Sequence, residues 1–262
     1  MTTPFCAAPA YFLKNYLNGK KMDDYQKIIS LISPNQKQKA LDAPSGQGQL
    51  TKLLLKKGLS LDCIDMVSDN IYSFLPKNSK YLKHDLNTPL PLKNNTYDYV
   101  ISREGIEHLA NPYLFIDELC RVTKIGGHLI LTTPNIMTVE SRIKFLITGH
   151  FQGFRELRDN HKGLRKLKFQ GHISPIYYWQ LNYFLSNQGF EITKVTTNNI
   201  KKDHKLLKRI FIPALGWLSN LLSKLRNFPN DGAYSDDFLY GDCLILIAKK
   251  VRKKKTYHGE IF

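Results

Sequence analysis

The chain has 262 residues, 38 Lys and Arg against 22 Asp and Glu, and a formal net charge of +16. With 42% hydrophobic and 11% aromatic residues it can bury a sizeable core, which excludes a wholly disordered or collagen-like polymer and suits one elaborated domain. Residues 1 to 135 hold 16 basic and 12 acidic side chains, a net of +4, whereas residues 136 to 262 hold 22 and 10, a net of +12. An anionic surface or substrate would therefore meet the second half.

The amino-terminal stretch "PFCAAPAYFL" is apolar, but no cation precedes it and Pro9 interrupts it, so it does not read as a signal peptide. No uninterrupted apolar run is long enough for a spanning helix, which needs roughly 18 residues. Cys6, Cys63, Cys120 and Cys243 stand far apart, with no CxxC pair and no zinc-ligand spacing. They read as reduced thiols in a cytoplasmic compartment, and no metal ligand set is read from the sequence.

Short β-branched runs alternating with amphipathic stretches begin near residue 40. The pattern predicts strands near 39–43, 60–65, 80–84, 97–102, 127–133, 190–196 and 240–248, with helices between them. The fold class is α/β: a Rossmann-like, doubly wound, mostly parallel seven-stranded sheet with helices on both faces and helical insertions on the substrate side. The helix after the first strand, from about Gln49 to Lys57, stops at Gly58. Asn111-Pro112 reads as an N-cap with proline at the first helical position, and Ser174-Pro175 reads the same way before a helix that Gly189 closes.

Residues 136–171 and 199–236 break the alternation and read as basic insertions on a single domain. That domain comprises an N-terminal helical segment (1–37), a core (38–135, resumed at 172–198 and 237–249) and a basic tail (250–262). The stretch 141–169 carries eight basic side chains, which could recognise phosphate or carboxylate groups or form a solvated face. In 205–226, Leu207, Phe211, Leu215, Leu218, Leu222 and Leu225 share roughly one face, with Lys205, Lys208, Arg209, Lys224 and Arg226 around the ends. Such a segment could lie peripherally on an anionic membrane, or serve as a lid or dimer contact.

The turn "LDAPSGQGQL" leads from the first strand into a helix through Gly46 and Gly48. A dinucleotide fingerprint would want a third glycine where this chain has Thr51, and Asp42 beside the loop would repel a pyrophosphate. A carboxylate there suits a cationic ligand. Asp65 and Asp85 recur at the ends of the next two strands, where one cleft would collect all three acids. Asp65 would accept from both ribose hydroxyls and Asp85 from an exocyclic base amine. Asp98, which opens the fourth strand, reads as structural.

"LDAPSGQGQL", the acid of "CIDM", "HDLNTPLPL", "TYDYVISREGIEHLANP" and "RVTKIGGHLILTTPN" together resemble the class I S-adenosylmethionine-dependent methyltransferases, small-molecule type (methyltransferase domain 11/12-like). The resemblance covers about residues 38–135 and, more loosely, 172–197 and 238–249. It implies S-adenosyl-L-methionine as cofactor, with Asp42, Pro44, Gly46 and Gly48 at its methionine end. Asp65 and Met66 would lie at the ribose, Asp85 and Leu86 at the adenine, and Arg103 with Glu104 at the cleft edge. Two departures stand out: Pro44 replaces the first loop glycine, and Ile125 replaces the usual proline before Gly126-Gly127.

Methyl transfer from a sulfonium needs donor and acceptor held in line and water excluded, not a nucleophilic triad. A hydroxyl acceptor must also lose a proton, for which Glu107 and His108 after the fourth strand, and His172 in "QGHISP", are the candidates. The reading is a methyltransferase acting on a small or lipid- or glycan-linked anionic acceptor, at oxygen. Two alternatives are an inactive binding or partner subunit, suggested by Pro44, and an RNA-directed enzyme, suggested by charge. Neither a base-amino nor a cytosine methylation motif is present, and no RNA-binding module is recognisable.

Overall fold

The computed structural model describes residues 24–34, 38–66, 72–154, 171–199 and 235–254, with Ala214, Trp217, Leu218 and Leu221 besides. The elements in order are α1 (Asp24–Leu31), β1 (Lys39–Asp42), α2 (Gln49–Lys56), β2 (Ser60–Asp65), β3 (Lys80–Lys83) and β4 (Tyr97–Arg103). A 3-10 turn (Ile106–His108) follows, then α3 (Pro112–Val122), β5 (Thr123–Pro134), α4 (Val139–Thr148), α5 (Tyr178–Asn187), β6 (Phe190–Thr197), α6 (Asp236–Tyr240) and β7 (Cys243–Lys250).

The strands form one seven-stranded sheet in the order β3-β2-β1-β4-β5-β7-β6. β1 to β5 run parallel, and β7 inserts antiparallel between β5 and β6. Strand order reverses between β1 and β4, so the crevice outside their carboxyl ends is the expected ligand site of an open α/β sheet.

Alternation along the strands builds two cores. Leu41, Ile64, Val100, Leu129, Leu131 and Leu246 face α3 and α5, where Phe115, Leu119, Leu181 and Leu185 meet them. Ala40, Leu61, Cys63, Ile101, Ile130 and Ile245 face the other way, onto Ile28 and Ile32 at α1 and Leu50 and Leu54 of α2. Each buried side chain of this size contributes roughly 1.5–3 kcal/mol of transfer free energy, which fixes both helical layers on the sheet.

Most strand ends match the sequence reading, and so do two helix ends. Asn111 Oδ1 accepts the Leu114 N–H at 3.1 Å with Pro112 at the first turn, and Gly58 and Gly189 take positive φ after α2 and α5. Three expectations need correction, the first being β7, expected from 240, which begins at Cys243 because Tyr240 still closes α6. β5 begins at Thr123, four residues early, because Tyr97 pairs with Thr123 before the ladder shifts at Tyr97/Tyr99. Ser174-Pro175 does not open α5, which starts at Tyr178. Ser174 instead bonds outward, its hydroxyl to the Leu109 carbonyl at 2.7 Å and its N–H to the Glu107 carbonyl at 3.0 Å.

Asp98 is structural, its Oδ2 accepting the Lys39 N–H and the Lys124 ammonium, both at 2.9 Å. Cys63, Cys120 and Cys243 are free and buried. Among the described residues no helix is long and apolar enough to cross a membrane. Most of 205–226, all of 155–169, Cys6 and the tail beyond Lys254 lie outside the described residues.

Candidate functional site

The loop between β1 and α2 is held from both sides at the switch point. Ala43 donates its N–H to the Ile101 carbonyl of β4 and Ser45 donates to the Ile64 carbonyl of β2, each at 3.0 Å. Gly46 and Gly48 sit at φ +56° and +75°, conformations that cost a residue with a Cβ. A Cβ on Gly48 would come within 2.9 Å of the Phe74 ring, whereas one on Gly46 would meet nothing within 4 Å. The loop therefore presents an open backbone edge at Gly46.

Pro44 fits this geometry because of Gly105. A Cβ on Gly105 would run into the Pro44 ring, so the bare backbone after β4 makes room for the proline. The departure at residue 44 leaves the positive-φ glycines of the loop in place.

Asp65, at the carboxyl end of β2, accepts the Gly46 N–H at Oδ2 and the Met66 N–H at Oδ1, both at 2.7 Å. It thus ties the glycine loop to the end of β2, with both carboxylate oxygens taken by backbone N–H groups. Met66 is largely exposed. Asp42 lies underneath the loop, fully buried. Its Oδ2 accepts the Thr51 hydroxyl at 2.7 Å and its Oδ1 has no hydrogen-bond partner. Burial pushes its carboxyl up to about 7, with the negative charge of Asp65 adding to the rise. An orphaned buried carboxylate oxygen beside an open glycine edge fits a ligand with a cationic end.

Asp85, on the surface after β3, spends Oδ1 on the backbone N–H and side-chain amide of Asn87 at 2.9 and 3.0 Å. These bonds pull its carboxyl below the usual range. Asn87 in turn accepts the Ala110 N–H at 2.9 Å, so the turn carrying Asp85 and buried Leu86 is pinned beside the 3-10 turn. Arg103 faces α1: its guanidinium pairs with Asp24 at 2.7 Å and stacks over Tyr25, 4.0 Å from the ring centroid. It fastens α1 at the cleft edge.

Across the cleft edge, Glu104 takes a positive φ of 46°, a strained conformation for a non-glycine residue. Glu107 is wholly buried. Its Oε2 accepts from the Thr133 hydroxyl at 3.2 Å and its Oε1 is without a partner. Burial, then the charge of Glu104, push its carboxyl up to about 8. The Glu107 carbonyl accepts the N–H groups of Ile173 and Ser174 at 2.9 and 3.0 Å, which brings the segment after residue 170 onto the 3-10 turn.

That contact sets His172 against His108, ring centroids 4.8 Å apart and edge to face. His108 Nδ1 lies 3.1 Å from the Gly171 carbonyl, so Nδ1 carries the proton that it donates there. The other nitrogen, Nε2, is 3.9 Å from Glu107 Oε1. Burial, then His108, lower the His172 pKa. Glu107, His108 and His172, read from the sequence as separate candidates, thus form one cluster. Their ligand-capable atoms all lie within 4.8 Å of one another, so these residues could hold a metal ion.

Several residues escaped the sequence reading. Thr51, where a dinucleotide loop would carry a glycine, is the donor to Asp42. Tyr72 donates within reach of Ser45 Oγ at 2.7 Å and the Gly46 carbonyl at 2.8 Å, buttressing the loop. Asn135, of the "PN" after β5, donates to the Phe238 and Gly241 carbonyls at 3.0 and 2.8 Å and so anchors α6.

Residues 41–131 match the family described as methyltransferase domain. The likeness to that family covers this segment, about a third of the chain. Its span runs from β1 to β5, the part that holds the glycine loop, Asp65, Asp85 and the Glu107 turn. The chain is 33% identical over 106 residues to the human mitochondrial ubiquinone biosynthesis O-methyltransferase, covering 37% of this chain and 29% of that protein. To the Rickettsia canadensis ubiquinone biosynthesis O-methyltransferase it is 29% identical over 133 residues, 49% of this chain and 56% of the relative. The chain thus spans from under a third to just over half of the length of these curated relatives.

Among solved structures, an S-adenosylmethionine-dependent methyltransferase from Archaeoglobus fulgidus superposes with a TM-score of 0.53 at 18% identity, covering 92% of this chain and all of that one. A putative methyltransferase bound to the Haloferax volcanii Trm112 activator gives 0.55 at 14% identity, over 93% and 96% of the two chains. Both agree with the methyltransferase domain in fold.

Proposed function

We propose that the protein transfers a methyl group from S-adenosyl-L-methionine to an oxygen of a small-molecule or lipid- or glycan-linked acceptor. The observation that carries the reading is the pairing of two half-sites at one crevice: a glycine loop backed by Asp42 and Asp65, and the Glu107–His108–His172 cluster across from it. Bound there, the cofactor supplies an electrophilic methyl group on a sulfonium. The open Gly46 edge receives its methionine end, the orphaned Asp42 oxygen favours its positive charge, and Asp65 stiffens the loop from the ribose side.

On the acceptor side the chain's own groups handle a proton. His108, with Nδ1 donating to Gly171, offers Nε2 as acceptor, and Glu107 Oε1 lies behind it. A hydroxyl approaching beside the His108–His172 pair meets an imidazole held by its bond to Gly171, an arrangement suited to removing its proton as the oxygen attacks in line. The names of the relatives, O-methyltransferases of ubiquinone biosynthesis and of malonyl-[acyl-carrier protein], support oxygen as the acceptor atom. Because Gly105 makes room for Pro44, the loop keeps its glycine geometry, which favours an active enzyme over an inactive partner subunit.

An amphiphilic, anionic acceptor is favoured by the net +12 of residues 136–262 and by exposed apolar side chains in that half. Leu146 and Ile147 on α4 are 85% and 76% exposed, and Trp179, Tyr183, Trp217 and Leu218 also face solvent. Peripheral contact with an anionic membrane belongs to the same reading. Incubation with methyl-tritiated cofactor and an acceptor panel of phenols, glycans and lipid-linked acids tests it. Label in an alkali-stable ether or an ester is expected, and label transferred only to nitrogen or to RNA would overturn the oxygen assignment.

A further inference from the structure

The geometry points to a divalent transition-metal site built from Glu107, His108 and His172. It deepens the proposed function, since it adjoins the acceptor side of the same crevice. Three separate observations converge on it. Glu107 is wholly buried, with one carboxylate oxygen taken by Thr133 and the other, Oε1, lacking any hydrogen-bond partner. His172 packs its ring edge to face on His108, with its Nδ1 buried on the Gly153 side and lacking a hydrogen-bond partner. His108 donates from Nδ1 to the Gly171 carbonyl, which leaves the lone pair of Nε2 3.9 Å from Glu107 Oε1.

Glu107 Oε1 and His108 Nε2 thus face each other as acceptors whenever Glu107 is ionised, an arrangement that a cation between them relieves. The contact from His108 to Gly171 is the kind of outer bond that fixes the tautomer and ring plane of a metal-ligating histidine. The Glu107 carbonyl holds the N–H groups of Ile173 and Ser174, which docks the segment carrying His172 onto the turn carrying His108.

Dimensions agree. With metal–ligand bonds of about 2.1 Å, ligand atoms opposite each other lie about 4.2 Å apart and adjacent ones nearer to 3 Å. The three atoms lie within 4.8 Å, so shifts of roughly an ångström close the site. Two imidazoles and one carboxylate favour zinc, cobalt, manganese or ferrous iron over magnesium and calcium, which prefer oxygen ligands throughout. Three protein ligands leave positions open for water and for an acceptor oxygen, whose proton the cation would make easier to remove. No redox change is involved: with both imidazoles held as ligands, the acceptor's proton would pass to a water or hydroxide at an open metal position in place of His108 Nε2, its oxygen would gain the methyl group, and the sulfonium would leave as a thioether.

The full chain, stripped with a chelator and dialysed, would be titrated with cobalt(II) while its visible d–d bands are followed, with zinc(II) as competitor. One saturable equivalent is expected, with bands of increased intensity over the aquo ion. The His172→Gln variant, at the less buried position, should weaken binding at least about tenfold, and Glu107→Gln should do the same if its melting curve shows that it folds. An unchanged aquo-ion spectrum, or equal affinity in folded His172→Gln, would overturn the site. S-adenosylmethionine binding measured on the same stripped sample separates the two claims: cofactor bound without cobalt defeats the metal site alone, and no cofactor binding defeats the proposed function.

Discussion

Asp42 should make the protein lose stability as pH rises toward neutrality, and the size of the effect follows from its burial. Its carboxyl is fully buried, has one oxygen without a partner, and titrates at about 7 against an unfolded value of 3.8. The folded state therefore binds the proton more tightly than the unfolded state. This favourable term is fully present below the unfolded value and is lost as pH rises through about 7. A span of about three pH units at 1.36 kcal/mol each gives about 4 kcal/mol in all, with a slope of at most that per unit.

Replacing Asp42 by Asn removes the ionisation while keeping an acceptor for Thr51. Urea unfolding of both proteins at half-unit steps from pH 5 to 8 isolates the term as the change in their difference. The wild type should fall by a few kcal/mol relative to Asp42→Asn across that window. Parallel pH profiles would refute the claim that Asp42 is an under-compensated buried acid, and with it the fit of a cationic ligand to its orphaned oxygen.

Gly105→Ala should cost about 1–3 kcal/mol through overpacking against Pro44, and Pro44→Gly in the same chain should restore most of it; additive losses in a double-mutant cycle would show that the two residues do not compete for space. Arg103→Ala should loosen α1, since it removes the Asp24 ion pair and the Tyr25 stack while leaving Ile28 and Ile32 anchored. Amide exchange over 24–31 should then quicken by an amount matching about 1 kcal/mol, and unchanged exchange would remove the fastening role. Thr51→Val strips the donor from the one bonded oxygen of Asp42 and should destabilise by roughly 1–3 kcal/mol above pH 7, with a smaller loss at pH 5; an equal loss at both would disconnect the hydroxyl from the ionised acid.

The fold was legible because burial on both faces of a parallel sheet writes itself as β-branched runs, and Gly58, Asn111-Pro112 and Gly189 mark helix ends by local chemistry. The antiparallel placement of β7 between β5 and β6 was not, since strand order depends on long-range packing that leaves no local period. Ser174-Pro175 misled for a related reason. Its cap chemistry is genuine, but Leu109 and the Glu107 carbonyl compete for it from over sixty residues away.

At the site, the acids at the strand ends were readable one by one, because strand–turn–helix syntax places them at the carboxyl edge. Their depth was not. Asp42 and Glu107 looked like cleft-facing groups, and the structure buries both. His108 and His172 were named separately, but their contact needs the chain to return from residue 171 onto the 3-10 turn. Arg103 looked like a cleft residue and is held by Asp24, whose helix carried no functional signal in the sequence.

The most direct test of the account is calorimetric titration with S-adenosyl-L-methionine and its demethylated product, on the wild type and on Asp65→Ala. That substitution deletes the carboxylate that holds Gly46 and Met66 at 2.7 Å. At about 1.5–3 kcal/mol for a charge-assisted bond, binding should weaken by roughly 10- to 150-fold with the melting curve still cooperative. Micromolar binding that Asp65→Ala weakens to this degree is the predicted result. A folded wild type that binds neither compound, or a variant that binds as tightly, would contradict it.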